Sequence, residues 1–169
     1  MSEAMIHALA ADTPAAPDLY GRLAGVWDVG NRYYDEDKAE WRTGTAVWTF
    51  GWVLDGRAVQ DVMWFTDVDG NRNTGSTMRL YDPDGDRWHV VWFSPYGRIV
   101  TLIGRAGPGA GVVQEGRRNN DGRPVRWEFT EVTDTSFRWL GHISDDDGRT
   151  WRLEQEMRAR RRPGGARRP

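Results

Sequence analysis

Two kinds of residue in this chain are placed to do chemistry. The first are titratable groups set inside apolar runs: Asp61 between Val59 and Met63, His89 after Trp88, and Glu128 between Trp127 and Phe129. A buried acid or base in such a setting could pass a proton to or from a bound molecule. The second are aromatic rings, ten of them tryptophans. Each indole brings about 200 Å² of flat apolar surface and one N–H donor. Rings on facing strands could grip a planar or greasy guest and hold one reactive conformer of it. The expected function is binding of a small hydrophobic or aromatic molecule. The alternative is a cofactor-independent cyclase or isomerase working on a hydrophobic, natural-product-like substrate in the same cavity, with Asp61, His89 or Glu128 as its acid or base. A third reading is a barrel filled solid by its own rings.

Other chemistries lack their residues. There are no cysteines, which removes disulfides, thiolate metal sites and cysteine nucleophiles. No nucleophile elbow, phosphate-binding loop or dinucleotide fingerprint is present, so no cofactor is expected. The segment Asp82-Pro83-Asp84-Gly85-Asp86 has alternating acids. A calcium loop would also need Gly at its sixth position and Glu at its twelfth, where this chain has Arg87 and Phe93. Asp and Gly nucleate turns, and that explains the segment. Of the three histidines, His7 lies near the N-terminus. His142 is the candidate axial ligand for a minor alternative, a haem-binding barrel, because neutral imidazole ligates iron. Its strand places Phe137, Trp139 and Ile143 on one face and His142 on the other.

The elements that must position these groups follow from punctuation. Asp-Gly pairs recur at 55–56, 69–70, 84–85, 121–122 and 147–148. Asp-Gly tolerates positive φ and marks hairpins. The runs between them are rich in Val, Thr, Trp, Tyr and Phe. They predict strands near 25–34, 41–54, 57–67, 74–82, 87–94, 98–104, 110–116, 123–132, 136–144 and 149–161. Residues 16–24, with Pro17 at the start and Gly25 at the end, predict a short N-terminal helix. The fold class is all-β: a single antiparallel up-and-down β-barrel of eight to ten strands. Closing the sheet removes edges that would otherwise invite aggregation. Residues 1–16 read as a flexible N-terminal arm, 17–162 as the barrel and 163–169 as a disordered basic tail.

Alternation assigns faces. Ala46, Trp48, Phe50, Trp52 and Leu54 share one, as do Val125, Trp127 and Phe129, and Trp151, Leu153, Gln155 and Met157. Candidate ring and apolar lining residues are Trp48, Trp52, Trp64, Met78 and Trp92, then Trp127, Phe129, Trp139 and Trp151. Candidate polar groups that would orient a ligand are Tyr33 (with Asn31), Arg42, Gln60, Ser94 and Gln155. Strands 57–67 and 87–94 are apolar on both faces, so their inward side is open. Their outer side would be covered by the helix, the N-terminal arm or a second subunit, which makes a homodimer a candidate assembly.

The net charge is -2, which gives no general attraction to nucleic acid. No stretch reaches the roughly 18 apolar residues of a membrane span, and the N-terminus has no basic region of the signal-peptide kind. Absent cysteines fit the cytoplasm. The bias to arginine, 22 against one lysine, fits a GC-rich bacterial genome.

The stretch Leu23-Ala24-Gly25-Val26-Trp27 resembles the Gly-x-Trp opening of the calycins, the superfamily of lipocalins and fatty-acid-binding proteins. The resemblance implies a barrel whose Trp27 lies at the closed end under a basic residue from a late strand: Arg158, Arg160 or Arg161. The likeness extends to a bacterial family of calycin-like barrels through Trp52-Val53-Leu54-Asp55-Gly56-Arg57, through Leu80-Tyr81-Asp82-Pro83 with 88–94, and through 144–151. That resemblance implies the fold and no particular reaction.

Overall fold

The computed structural model describes residues 14–163. The first thirteen residues and the last six, with the arm and tail readings that fall on them, lie outside the described residues. Ten antiparallel strands form one closed barrel: β1 (Gly25–Asp35), β2 (Glu40–Val53), β3 (Ala58–Asp67), β4 (Arg72–Asp82), β5 (Arg87–Phe93), β6 (Ile99–Ala106), β7 (Val112–Arg118), β8 (Pro124–Thr130), β9 (Ser136–Ile143) and β10 (Arg152–Arg161). Each strand pairs with the next in sequence, and β1 pairs with β10 to close the ring. Four of the five Asp-Gly turns place their glycine at positive φ, Gly56, Gly70, Gly122 and Gly148. At the fifth it is Asp86, not Gly85, that adopts the left-handed conformation.

The predicted helix is only a 3-10 turn, Gly21–Leu23. Its geometry is dictated by what it plugs. Tyr20 and Leu23 are fully buried in the barrel end. Gly21 lies so close to the Trp52 indole that a Cβ would sit 2.3 Å from its ring. Leu54 also departs from its expected place: it falls in the β2–β3 turn with φ 51 and is exposed.

The closed end is a knot of rings. Trp27 donates from Nε1 to the Leu23 carbonyl at 2.7 Å. Its indole packs edge-on against Phe137. Trp48, Phe50, Phe129 and Phe137 pack on one another with centroids 4.7–6.4 Å apart. Of the three late arginines, Arg161 takes the place across Trp27, its guanidinium 4.1 Å from the ring centroid. It also donates to the carbonyls of Asp134, Ala24 and Arg22 at 2.6–2.8 Å. One planar cation thus ties β10 to the 3-10 turn and the β8–β9 connection.

The outer faces of β3 and β5 carry large apolar side chains that the described residues cover only in part. Trp64 and Phe93 stand there 39% and 45% exposed. The Arg72 guanidinium lies 5.6 Å from the Trp64 ring.

Removing the Arg161 fork should leave an indole face and three carbonyls without their cation. Arg161→Ala is expected to cost about 2–3 kcal/mol in urea unfolding, and Arg161→Lys should recover less than half, because an ammonium cannot make the same planar fork.

Candidate functional site

Inward-facing positions are set by register. Trp48 on β2 faces Met63 on β3, so the odd-numbered residues of β3 turn inward and bring Asp61 with them. Asp61 in turn faces Thr77 on β4, which makes Thr77, Arg79 and Tyr81 the inner set of that strand. Asp61 and Arg79 are both nearly fully buried. Arg79 Nη1 lies 2.5 Å from Asp61 Oδ2. The contact is an ion pair, and neither atom has a hydrogen-bond partner among the described residues. Asp61 Oδ1 accepts from the Thr77 N–H at 3.2 Å.

Below this pair the barrel is solid. The Arg79 guanidinium lies 5.0–5.8 Å from the ring centroids of Tyr20, Phe50 and Phe129. Its Nε faces Gln114 Oε1 at 3.4 Å, which also accepts from the Tyr20 hydroxyl at 3.0 Å. Burial pushes the Tyr20 hydroxyl well above the usual tyrosine range, against the opposing pull of Arg79.

Above the pair the barrel is hollow. A cavity of about 640 Å³ opens toward the turns that join β1–β2, β3–β4, β5–β6 and β7–β8. Asp61, Thr77 and Arg79 border its inner end, together with Trp48 and Met63. Trp92, Trp127 and Trp139 form one wall. Trp92 and Trp127 lie 6.3 Å apart and nearly perpendicular, and Trp127 and Trp139 lie 5.5 Å apart. Two glycines make room for these indoles. A Cβ on Gly75 would sit 2.7 Å from Trp92 Nε1, and one on Gly141 would sit 2.7 Å from the Trp139 ring. Tyr33, Phe65 and Met157 also border the space.

The mouth is polar and cross-tied. Glu36, in the β1–β2 turn, accepts from Arg123 at 2.9–3.0 Å and from Arg152 at 2.9 Å. These hydrogen bonds, that from Arg123 above all, hold its carboxyl down to about 2. Arg123 and Arg152 also donate to Asp145 at 2.8–2.9 Å. The network ties three connections together on one side of the mouth. Tyr96, in the β5–β6 turn, borders the mouth and is 75% exposed.

The register of β10 shifts between Leu153 and Gln155. That β-bulge lets consecutive residues, Glu154 and Gln155, both border the cavity, which unbroken alternation forbids. Gln155 Nε2 donates to Asn31 Oδ1 at 2.8 Å. Burial raises the Glu154 carboxyl above its ordinary range, against the pull of Arg118, whose Nη1 lies 3.6 Å away.

The structure gathers Tyr33, Trp48, Trp92, Trp127, Trp139 and Gln155 around this space, with Asp61 at its inner end. The other expected residues lie elsewhere. Trp52 and Phe129 belong to the packed closed end. Gln60, Trp64 and Met78 face outward because Asp61 and Arg79 claim the inner positions of β3 and β4; Gln60 donates to Ser76 Oγ at 3.2 Å. Arg42 is held at the rim by ion pairs with Asp69 and Asp35. Ser94 lies past the end of β5, where its Oγ accepts from the N–H groups of Tyr96 and Arg98. Trp151 precedes the bulge and lies outside, under the Arg126 guanidinium at 4.5 Å. His89 faces outward beside Asp82 at 3.4 Å.

Glu128 and His142 sit together on the outer wall, 3.4 Å apart. Burial lowers the His142 pKa despite that carboxylate. From there His142 does not reach the cavity, which removes the geometry of the haem alternative. Among the described residues no cluster of three His, Cys, Asp or Glu could hold a metal ion. Sequence reasoning missed Arg79, Glu154 and Arg118. Only the first left a usable signal: Asp61, flanked by apolar residues, required a cation of matching parity on a neighbouring strand.

Solved structures share this architecture. An S-type phycobiliprotein lyase, CPES from Guillardia theta, superposes with a TM-score of 0.64 at 10% identity, over 86% of this chain and 91% of that one. Rv2717c from M. tuberculosis superposes with a TM-score of 0.66 at 13% identity, over 87% and 98%. The fold is a calycin-like barrel. No protein-family model matches the chain, and no curated protein matches it. At these identities the calycin-like likeness is one of fold.

The inner ion pair gives a direct test of the site's architecture. Asp61→Ala strands a buried guanidinium and is expected to cost about 3–5 kcal/mol in chemical denaturation, while the double variant Asp61→Ala/Arg79→Met should recover most of that loss.

Proposed function

We propose that the protein binds one small hydrophobic or aromatic molecule in the open half of its barrel. The observation that carries this reading is the cavity of about 640 Å³ bordered by Trp48, Trp92, Trp127 and Trp139. Its size falls within the usual range for small-molecule sites, and its indoles set flat apolar surface beside the polar groups of the floor and mouth. The solid closed end gives such a guest a fixed floor. The third reading, a barrel filled throughout, is not supported by that volume.

A second reading rests on Glu154. A carboxyl whose hold on its proton is strengthened by burial, set beside an aromatic cavity, could act as a general acid on a bound guest, so cofactor-independent cyclisation or isomerisation is the alternative use of the same space. Of the acids and bases expected to do this, only Asp61 borders the cavity, and it is engaged with Arg79. The neighbour that is a phycobiliprotein lyase bears on the fold and not on the reaction here.

The setting we propose is bacterial and cytoplasmic, supported by the absent cysteines and the arginine bias. Among the described residues no helix is long and apolar enough to cross a membrane. The exposed Trp64 and Phe93 on the outer faces of β3 and β5 support a homodimer as the assembly to look for.

Titration with Nile red is expected to quench tryptophan emission at one dye per chain. Gly75→Leu, whose side chain collides with the Trp92 indole on the cavity wall, should weaken that binding at least tenfold. Absence of quenching, or equal quenching in both proteins, would overturn the binding reading. Turnover of a hydrophobic substrate without added cofactor, lost in Glu154→Gln while the substrate still binds, would establish the catalytic one.

A further inference from the structure

The inner end of the cavity holds more hydrogen-bond donors than free acceptors. A guanidinium has five N–H donors. In Arg79 two of them face protein acceptors, Nε toward Gln114 Oε1 and Nη1 toward Asp61 Oδ2. The others have no acceptor among the described residues. Trp48, also bordering the cavity, has a buried indole N–H with no acceptor among the described residues. The Thr77 hydroxyl, a third group at this end, is engaged by no described side chain or carbonyl; the contact Thr77 makes with Asp61 runs through its backbone N–H. The acceptors nearby already face protein donors. Asp61 takes Thr77 N–H on one oxygen and Arg79 on the other, and Asn31 Oδ1 takes Gln155.

Charge decides what kind of acceptor fits. Arg79 is already neutralised by Asp61 at 2.5 Å, and both are almost wholly removed from water. A ligand carboxylate brought to this floor would arrive with no uncompensated cation, and an unpaired buried charge is expensive. An uncharged oxygen brings no such penalty and can take donors that are otherwise unsatisfied.

We propose that the cavity selects an uncharged planar ring system that enters with a carbonyl-type oxygen leading, received by the donors of Trp48, Thr77 and Arg79. This rests on the binding reading above and names the ligand class for it. The indoles of Trp92, Trp127 and Trp139 then flank the rings, and the ligand's opposite edge faces Tyr33 and the mouth.

Three probes on one tricyclic scaffold test this by displacement of bound Nile red: 9-fluorenone, fluorene and fluorene-9-carboxylate. Fluorenone is expected to displace the dye at a concentration at least tenfold lower than fluorene, with the carboxylate weakest. In Trp48→Phe the ratio of fluorene to fluorenone concentrations should fall at least threefold. If that variant does not fold, Thr77→Val reads the same ratio. Equal displacement by fluorenone and fluorene, or tightest binding by the carboxylate, would overturn the carbonyl assignment while leaving the cavity's binding role intact. If Nile red itself does not bind, both readings fall together.

Discussion

The contact between Asp61 and Arg79 divides the barrel into two compartments. Below it, Tyr20, Phe50 and Phe129 crowd the guanidinium. Above it, the same pair forms the floor of a hollow. Two long polar side chains would be costly in an interior of rings unless each met its counter-charge. Here each does, and Gln114 and Tyr20 extend the polar contact across the floor. The ring knot at one end and the lumen at the other both take their limits from this one layer.

Closure works at the two ends by different means. At the sealed end a single cation, Arg161, stacks on Trp27 and reaches three carbonyls. At the open end several arginines and acids share the task, with Glu36 bridging Arg123 and Arg152. The first arrangement buries an aromatic face under a fixed fork. The second spreads charge over solvated turns, where each contact contributes modestly. The mouth is therefore held on the side of the β1–β2, β7–β8 and β9–β10 connections by charge, and the β5–β6 turn with Tyr96 lies outside that network.

Much of this was legible in the chain. The Asp-Gly turns and the alternation of Ala46, Trp48, Phe50 and Trp52 announced the strands and their closure, because a period of two with tight turns admits few other architectures. The Gly25-Trp27 signature pointed to a basic residue over the indole, and the structure selects Arg161 from the three candidates. The lining was harder to read, for two physical reasons. Where a strand is apolar on both faces, hydrophobicity does not choose the inner one. Met78 looked more at home inside than Arg79, yet the need of Asp61 for a cation decided β4. Where a strand bulges, parity breaks: Trp151 and Glu154 exchange the faces that simple alternation assigned them. A buried ion pair and a one-residue insertion are both non-local facts, visible only when neighbouring strands are laid side by side.

Gly75 and Gly141 are alcoves in the lumen wall, each vacated by a missing methyl and occupied by the edge of an indole. The bore of the barrel is thus set by two hydrogen atoms as much as by the large rings that line it. Any side chain at either position would displace a tryptophan from where it now lies. A lineage could retune the girth of what it admits there by single-residue steps, without disturbing the ion pair below or the charged ties above.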